Sequence, residues 1–217
     1  MRVIIEDFGA RVASVWEGLR SETRRLIVGA LQSPPTANTA QAASSSNGAR
    51  NQSAHSYDAR ADWELSRLLA ALDERVVEAG TSLNAEQAAS LQRMAETTAA
   101  VLQNQTRSAE VFAQLVERAH RQHDFRRIDA LADTLTARFA PSELCELARS
   151  PHPVVRALAS EALAQSPTSV LLTLLTDPVD SGVARDALEC QAIEYGSEEA
   201  RHLIYALEQV EAPEDDL

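Results

Sequence analysis

The chain of 217 residues contains no lysine, only seven glycines, and few aromatic residues, which make up 4% of it. Strands collect aromatic and β-branched residues and the turns between them collect glycine, so these scarcities argue against a sheet-based fold. Alanine and leucine dominate instead, and both favour helices. Hydrophobic residues make up 45% of the chain, which is sufficient for a sizeable core in one or two domains. We therefore predict an all-α protein.

No stretch of the sequence has the length and apolar character of a membrane span. Glu6 and Asp7 follow Met1 too closely for a secretory signal, so we predict a cytoplasmic protein. Two explanations of the missing lysine stay open. A GC-rich genome is the one that we favour. Selection against lysine modification is the other, and it would suit a protein delivered to a host cell by a route that needs no signal peptide.

Acidic residues outnumber basic ones by 32 to 20, which gives a net charge of −12. Because affinity for nucleic acid depends on neutralising phosphates, this excess argues against general nucleic-acid binding. The two cysteines, Cys145 and Cys190, fall at apolar helical positions. We interpret both as reduced core residues of a cytosol-like compartment.

Motifs that carry common enzyme chemistry are missing from the sequence. It contains no glycine-rich phosphate loop, no Gly-x-Ser-x-Gly, no His-Glu-x-x-His and no Cys-x-x-Cys. His120, His123 and Asp124 lie close together, but a zinc site needs more ligands at a recognisable spacing. We interpret this polar stretch as a solvated helix end. We therefore predict no catalytic centre, no cofactor and no metal site.

The first 32 residues carry an apolar stripe at helical spacing that includes Phe8 and Trp16. We predict one amphipathic helix over residues 1–32, ended by Ser33-Pro34-Pro35. Residues 33–57 contain no large aliphatic side chain, which predicts a disordered linker. The helix then either completes the fold of its own chain or serves as a tethered recognition element. In the second case, Phe8 and Trp16 are its contacts with the partner.

Two longer apolar stripes predict a coiled-coil-like helical hairpin over residues 58–123. We expect Asp58 to cap a helix over 58–80, and Asn84 to cap a second helix that runs to about residue 123. Thr98 and Gln105 are polar members of the second stripe. If buried there, they could fix the register or the oligomeric state of the hairpin. We favour the alternative, in which both lie at its partly wet edge. A second copy of the chain could cover this hairpin, so a homo-oligomer stays open. The predicted apolar side of the first helix consists of Trp63, Leu65, Leu68, Leu69, Leu72, Val76 and Val77.

A short helix, a proline-bearing corner and a second helix follow one another twice between Pro141 and Cys190. Apolar positions recur in the second copy with a shift of 27 or 28 residues. The matched pairs are Leu144 and Leu171, Leu147 and Leu174, Val155 and Val183, and Ala159 and Ala187. Such a period predicts stacked helical hairpins over residues 124–210. We expect Asp124 to cap a helix at 125–139, which forms the first half-repeat. Residues 211–217 are predicted to be a frayed acidic tail.

The first copy reads Pro153, Val155-Arg156, Ala159 and Ala162-Leu163 at and after its corner. This pattern resembles the HEAT-like repeats, including the shorter bacterial version of about thirty residues. The second copy departs from it, because Val183 is followed by Ala184 and the arginine comes one place later, at Arg185. The resemblance covers roughly residues 125–210 and implies a protein-binding scaffold.

We therefore predict a non-catalytic module that binds a protein partner along the second helices of the repeats. Arg156, Arg185 and Arg201 are the candidate polar contacts on that surface. The alternative is that they form hydrogen bonds between repeats, which we favour for Arg156. Two other hypotheses stay open. One is a self-assembling structural protein built on the 58–123 hairpin, and the other is a bacterial effector or regulator that acts on host proteins.

Overall fold

The computed structural model describes residues 5–32, 57–78 and 83–211. The linker predicted at 33–57 (apart from Tyr57), Gly80 and the tail beyond residue 211 lie outside the described residues. Over the described ranges the chain is helical and has no strand, which confirms the all-α prediction. The elements are a 3-10 helix at Ile5–Phe8, α1 Ala10–Gly18, α2 Ser21–Gln32, α3 Ala59–Glu78, α4 Ala85–Gln105, α5 Ala109–Arg121, α6 Phe125–Ala132, α7 Leu135–Arg138, α8 Pro141–Ala148, α9 Pro153–Ala164, α10 Thr168–Leu174, α11 Ser181–Ile193 and α12 Glu198–Glu211.

The helices form two compact units, an N-terminal unit of Met1–Arg107 and a C-terminal unit of Ser108–Leu217. None of the described helices combines the length and the apolar character that crossing a membrane requires.

The N-terminal unit is built on a hairpin of α3 and α4. Helix α1 packs on α3, α2 packs on both α4 and α3, and the 3-10 helix packs on α4. Residues 5–32 therefore complete the fold of their own chain, which is the first of the two predicted alternatives. The largest buried side chains of this unit are Phe8, Ile27, Leu65, Leu68, Leu69, Leu72, Leu91, Met94 and Leu102.

The single helix predicted for residues 1–32 is wrong, because the chain turns twice within it. Gly9 has a φ of +103°, a conformation that favours glycine, and it separates the 3-10 helix from α1. Leu19 is extended, with φ −71° and ψ 145°, and it separates α1 from α2. Gly18, the last residue of α1, is the sequence signal for this second turn.

One buried carboxylate fixes the turn between α1 and α2. Glu64 of α3 accepts hydrogen bonds from the Arg20 backbone N–H at 3.2 Å, from Arg20 Nε at 3.0 Å and from Thr23 Oγ1 at 2.6 Å. Arg20 Nη2 also donates to Asp58 Oδ2 at 2.6 Å. Glu64 is only 4% exposed and Thr23 only 1%, so the bond between them joins α2 to α3 away from solvent.

The same hydrogen bonds set the protonation of both carboxyl groups. Burial alone would raise the pKa of Glu64, but the hydrogen bonds from Thr23 and Arg20 and the Arg20 charge hold it below its ordinary value. The hydrogen bond from the Arg20 guanidinium lowers the pKa of Asp58 as well. Folding of the N-terminal unit therefore favours the ionised form of both groups.

The second helix of the predicted hairpin ends at Gln105 rather than near residue 123. Thr106 is extended, with φ −62° and ψ 140°. Ser108 then caps α5 by accepting a hydrogen bond from the Val111 N–H at 3.4 Å. Because α5 belongs to the C-terminal unit, the predicted 58–123 hairpin is reduced to α3 and α4. The polar run from Gln103 to Ser108 is the sequence signal for this break.

The three helix caps expected from the sequence are confirmed. The side chains of Asp58, Asn84 and Asp124 each accept a hydrogen bond from a backbone N–H in the first turn of the helix that follows. Asn84 also forms a reciprocal capping box with Gln87. Local helix-start signals are therefore reliable in this chain even where the helix ends are not.

Three side chains predicted on the apolar side of α3 are exposed instead. Trp63 is 55% exposed, Val76 36% and Val77 81%. Trp63 lies two residues from Leu65, which is about 200° around a helix, so both cannot face the core. The Arg67 guanidinium covers the Trp63 ring at 4.7 Å, which shields part of its apolar surface.

The two polar members of the α4 stripe have different environments. Gln105 is half-buried, as predicted, and its Nε2 donates to Asp62 Oδ1 at 3.3 Å. Thr98 is fully buried, so its placement at a wet edge is wrong. Its Oγ1 donates to the Met94 carbonyl at 2.8 Å, which satisfies the hydroxyl without water.

In the C-terminal unit two helical hairpins lie side by side. Helix α8 packs on α9 and α10 packs on α11, while α9 also packs on α11 and α8 on α10. Helix α5 packs on α8 and α9, and α12 packs on α11. Pro141 and Pro153 are the first residues of α8 and α9, where the missing N–H of proline costs no hydrogen bond. The helix predicted over 125–139 divides into α6 and α7 around Asp133 and Thr134.

We predict that Glu64→Gln lowers the free energy of unfolding of the full chain by about 1–3 kcal/mol, because it removes the charge from a set of buried hydrogen bonds. The matched control is Glu74→Gln, which also breaks a link from the first 32 residues to α3, since Glu74 pairs with Arg11. That pair is exposed, so we expect a loss below about 1 kcal/mol. Urea unfolding followed by circular dichroism measures both, and equal losses would contradict the role assigned to Glu64.

Acidification should also remove the contribution that the ionised Glu64 makes to the free energy of unfolding. The folded state lowers the pKa of Glu64 below its ordinary value of 4.5, so its contribution is present above that pH and disappears as the pH falls through the lowered value. We expect the unfolding free energy of the wild type to fall more between about pH 6 and pH 3 than that of Glu64→Gln. Urea titrations across this range test the difference. If the unfolding free energies of the two proteins changed in parallel with pH, Glu64 would have the same pKa in the folded and the unfolded state, which would contradict this prediction.

Candidate partner-binding surface

An ion pair between an exposed arginine and a buried aspartate joins the corners of the two hairpins in the C-terminal unit. Arg149, which ends α8, donates from Nη1 to Asp180 Oδ1 at 2.7 Å and to the Val179 carbonyl at 3.1 Å. The side chain of Asp180 is only 6% exposed. Asp180 precedes α11 but does not cap it with its carboxylate, because that carboxylate is directed to the preceding hairpin. The corner of α10 and α11 is therefore attached to the corner of α8 and α9.

A buried amide joins the same hairpins where α9 and α11 end. Gln191 near the end of α11 donates from Nε2 to the Ala164 carbonyl at 2.9 Å and to the Ser166 carbonyl at 2.6 Å. Its backbone carbonyl accepts from the Ser197 N–H at 2.9 Å, just before α12. Gln191 is 6% exposed, so these bonds lie inside the unit. The repeat of apolar positions does not single out Arg149, Asp180 or Gln191, because each is a polar residue of a type that is usually found on the surface.

The three predicted contact arginines all make bonds within the C-terminal unit. Arg156 donates to the Ser150 carbonyl at 3.0 Å, inside its own corner, so the favoured bond between repeats is wrong. Arg149 makes that connection instead. Arg185 pairs with Glu189 one turn further along α11 at 3.5 Å. Arg201 donates to the Ala192 carbonyl at 3.3 Å, across the turn between α11 and α12.

The two predicted contacts of the N-terminal segment are mostly covered. Phe8 is 1% exposed, and its carbonyl accepts from Arg75 Nε at 2.8 Å, so its assignment as a partner contact is wrong. The reason is that residues 5–32 pack on α3 and α4 and use Phe8 as a core side chain. Trp16 is half-buried on α1.

The histidine-rich stretch does not assemble a ligand set in the described part of the chain. The Asp124 carboxylate caps α6. The His120 ring packs edge-on against His152 at 5.2 Å, and the exposed His123 ring lies 6.4 Å from Phe125. Across residues 5–32, 57–78 and 83–211, no three His, Cys, Asp or Glu side chains are grouped so that they could hold a metal ion.

Both cysteines are free thiols in environments that favour the protonated form. Burial raises the pKa of the Cys145 thiol to about 11. Burial, a hydrogen bond to Glu194 and the negative charge of Glu161 raise the pKa of Cys190. Since the thiolate is the nucleophile, neither cysteine has the properties of a reactive thiol.

Large apolar side chains are exposed around the ends of α11 and α12. Ile193 is 80% exposed, Tyr195 51% and Tyr205 63%. The Tyr195 hydroxyl donates to the Glu161 carboxylate of α9, which fixes the ring on the surface. That bond raises the pKa of Tyr195 and lowers the pKa of Glu161, so the acid stays charged beside the ring. The surface therefore combines aromatic and aliphatic groups with negative charge.

The negative charge of the protein is concentrated in the same part of the chain. Residues 139–217 contain 15 Asp and Glu against 4 Arg, a net charge of −11, whereas the whole chain has −12. Residues 1–138 are therefore close to neutral. The net negative charge of the sequence is therefore a property of the last five helices, α8 to α12, and the residues after them rather than of the N-terminal unit.

We predict that the Arg149–Asp180 pair couples the two hairpins. In a double-mutant cycle with Arg149→Ala and Asp180→Ala, we expect a coupling of about 1–3 kcal/mol, because Asp180 is buried. The comparison cycle is Arg185→Ala with Glu189→Ala, a half-buried i,i+4 pair within α11, for which we expect about 0.5 kcal/mol. Urea unfolding of the full chain measures both cycles. A coupling no larger for the first pair than for the second would contradict the link.

No family model, no curated protein and no solved structure matches this chain, so its function is argued from its own geometry.

Proposed function

We propose that the protein is a non-catalytic interaction module that binds a protein partner through the C-terminal unit. The observation that carries the proposal is the exposure of Ile193, Tyr195 and Tyr205 on a unit whose helices are otherwise joined by buried polar links. Tyrosine supplies large contact area at low entropic cost, and exposed aromatic anchors commonly carry the energy of protein interfaces. The resemblance of residues 125–210 to HEAT-like repeats supports the same role, because such stacks bind along their helical surfaces.

The contact surface that we propose is formed by α9, α11 and α12. Tyr195 is attached to α9 through Glu161, and Arg201 is attached to α11 through the Ala192 carbonyl. Tyr195 and Arg201 are therefore held in place by hydrogen bonds to neighbouring helices. A surface fixed in this way loses little conformational entropy on binding.

Chemical considerations favour binding over catalysis. The environments of the two thiols favour the protonated form, and the rings of His120, His123 and His152 lie against other rings. Two depressions in the N-terminal unit have volumes of about 160 and 100 Å³. Pockets for small molecules measure about 300–1,000 Å³, so neither depression suits a typical substrate.

We do not extend the proposal to self-assembly through the 58–123 hairpin. Helices α1 and α2 pack on α3 and α4, so the apolar face that suggested a second copy is covered within the chain. The free thiols suit a reducing compartment, and we propose the cytoplasm as the place of action.

Site-specific photo-crosslinking tests this function. A photoreactive phenylalanine is placed at Tyr205 in the full chain, and the control carries it at Phe125, which is 60% exposed in α6. After irradiation in a lysate of the source cells, we expect a discrete protein adduct from position 205 and much less from position 125, measured by mass spectrometry. Equal labelling at both positions, or labelling only at 125, would show that the α9–α11–α12 surface is not the interface.

A further inference from the structure

Helix α12 is the least covered helix of the C-terminal unit. Ala200 is its only buried residue among positions 198–209, and Leu203, Ile204 and Leu207 are half-buried. Tyr205 is 63% exposed. Helix α12 has α11 as its principal neighbour, so one side of it faces no other helix of the described unit.

The open side of α12 has a defined pattern of side chains. Glu198, Arg201, Tyr205 and Glu208 are all exposed and lie at spacings of three and four residues, which places them on one face of the helix. Tyr205 lies between the two acids, which are separated by ten residues, or about 15 Å along the axis. Arg201 on the same face donates to the Ala192 carbonyl and is thereby held toward the end of α11.

Negative charge extends well beyond this face. Residues 186–209 contain six Asp and Glu and a single arginine, Arg201. In the described part of this stretch the carboxylates of Glu194 and Glu189 bond to Cys190 and Arg185 of α11. A partner that binds the open side of α12 therefore lies close to negatively charged side chains.

This negative charge favours one of two possible partners for the open side, a second copy of the chain or a cationic helix of another protein. A second copy of the chain would bring its own α12, with the same exposed acids, to the contact, and like charges in an interface cost binding free energy. A cationic helix brings the opposite charge, and its aliphatic side chains would cover Tyr205 and Ile204. Helix-in-groove recognition uses this combination of apolar anchors and complementary charge.

We propose that the open side of α12 is a docking site for a cationic amphipathic helix of another protein. The inference rests on the proposed function and names the chemistry of its partner. The partner helix packs its apolar face on Tyr205 and Ile204, and it places two basic side chains about 15 Å apart, one against Glu198 and one against Glu208. Arginine suits these positions because its guanidinium binds a carboxylate through two parallel hydrogen bonds.

A designed peptide tests the site without knowledge of the natural partner. The probe is a fluorescent alanine- and leucine-rich helix with two arginines ten residues apart on its apolar edge. A matched peptide carries glutamate at both positions. Anisotropy titrations use the full-length protein, and we expect binding of the arginine peptide to be at least about tenfold tighter. Raising the salt concentration from about 50 to about 300 mM should weaken it several-fold, because the contacts are exposed.

Variants of the full chain locate the binding. We expect Tyr205→Ala to weaken binding of the arginine peptide about fivefold to tenfold. The double variant Glu198→Gln, Glu208→Gln should weaken it about tenfold. The control double variant Glu110→Gln, Asp129→Asn removes the same charge from exposed positions on α5 and α6, and it should change binding less than twofold. Circular dichroism confirms that each variant keeps its helix content.

A charge exchange gives a test that does not depend on loss of binding. Glu208→Arg should bind a peptide with glutamate at the matching position better than it binds the arginine peptide. Equal weakening by the α12 and control variants, or no preference between the two peptides, would overturn the docking site. If crosslinking at Tyr205 still yields a protein adduct in that case, the proposed function stands and only the partner's chemistry is wrong. Absence of the adduct as well would reject both.

Discussion

The attachment of one helical hairpin to the next is the constraint on which the C-terminal unit depends. Gln191 and Asp180 are buried, and the bonds of Gln191 and of the Arg149–Asp180 pair join different ends of the α10–α11 hairpin to the α8–α9 hairpin. Alanine and leucine faces alone allow neighbouring helices to slide, whereas buried polar groups must meet their partners. The two links therefore fix the register of α9 and α11, and with it the surface on which α12 lies.

In the N-terminal unit, too, a buried polar side chain fixes how the helices pack, and here it is the carboxylate of Glu64. Glu64 ties the turn between α1 and α2 to α3 through three hydrogen bonds, so residues 5–32 pack on the hairpin as two helices rather than one. Each unit thus combines a generic apolar core with a few buried polar bonds that specify its geometry. Charge divides between them unequally, since almost all the net negative charge lies after residue 138.

The helical class and three helix starts could be predicted from the sequence, because they follow from composition and from the local caps Asp58, Asn84 and Asp124. The breaks at Leu19 and Thr106 were missed, since the apolar periodicity continues through both positions. The roles of individual side chains could not be predicted, because they depend on tertiary neighbours. Phe8 lies in the core and Trp63 on the surface, the reverse of what was predicted. The bond between repeats that was expected of Arg156 is made by Arg149. The acidity of the surface was readable in the composition, but its position on α11 and α12 required the fold.

Hydrogen–deuterium exchange of the full-length protein, with and without a saturating cationic amphipathic helix, tests the central claim most directly. The account predicts slower amide exchange in Ser181–Ile193 and Glu198–Glu211 on binding, and unchanged exchange in Ala59–Glu78 and Ala85–Gln105 of the N-terminal unit. Protection confined to α5 and α6, or spread evenly over both units, would contradict a docking surface at the end of the C-terminal unit.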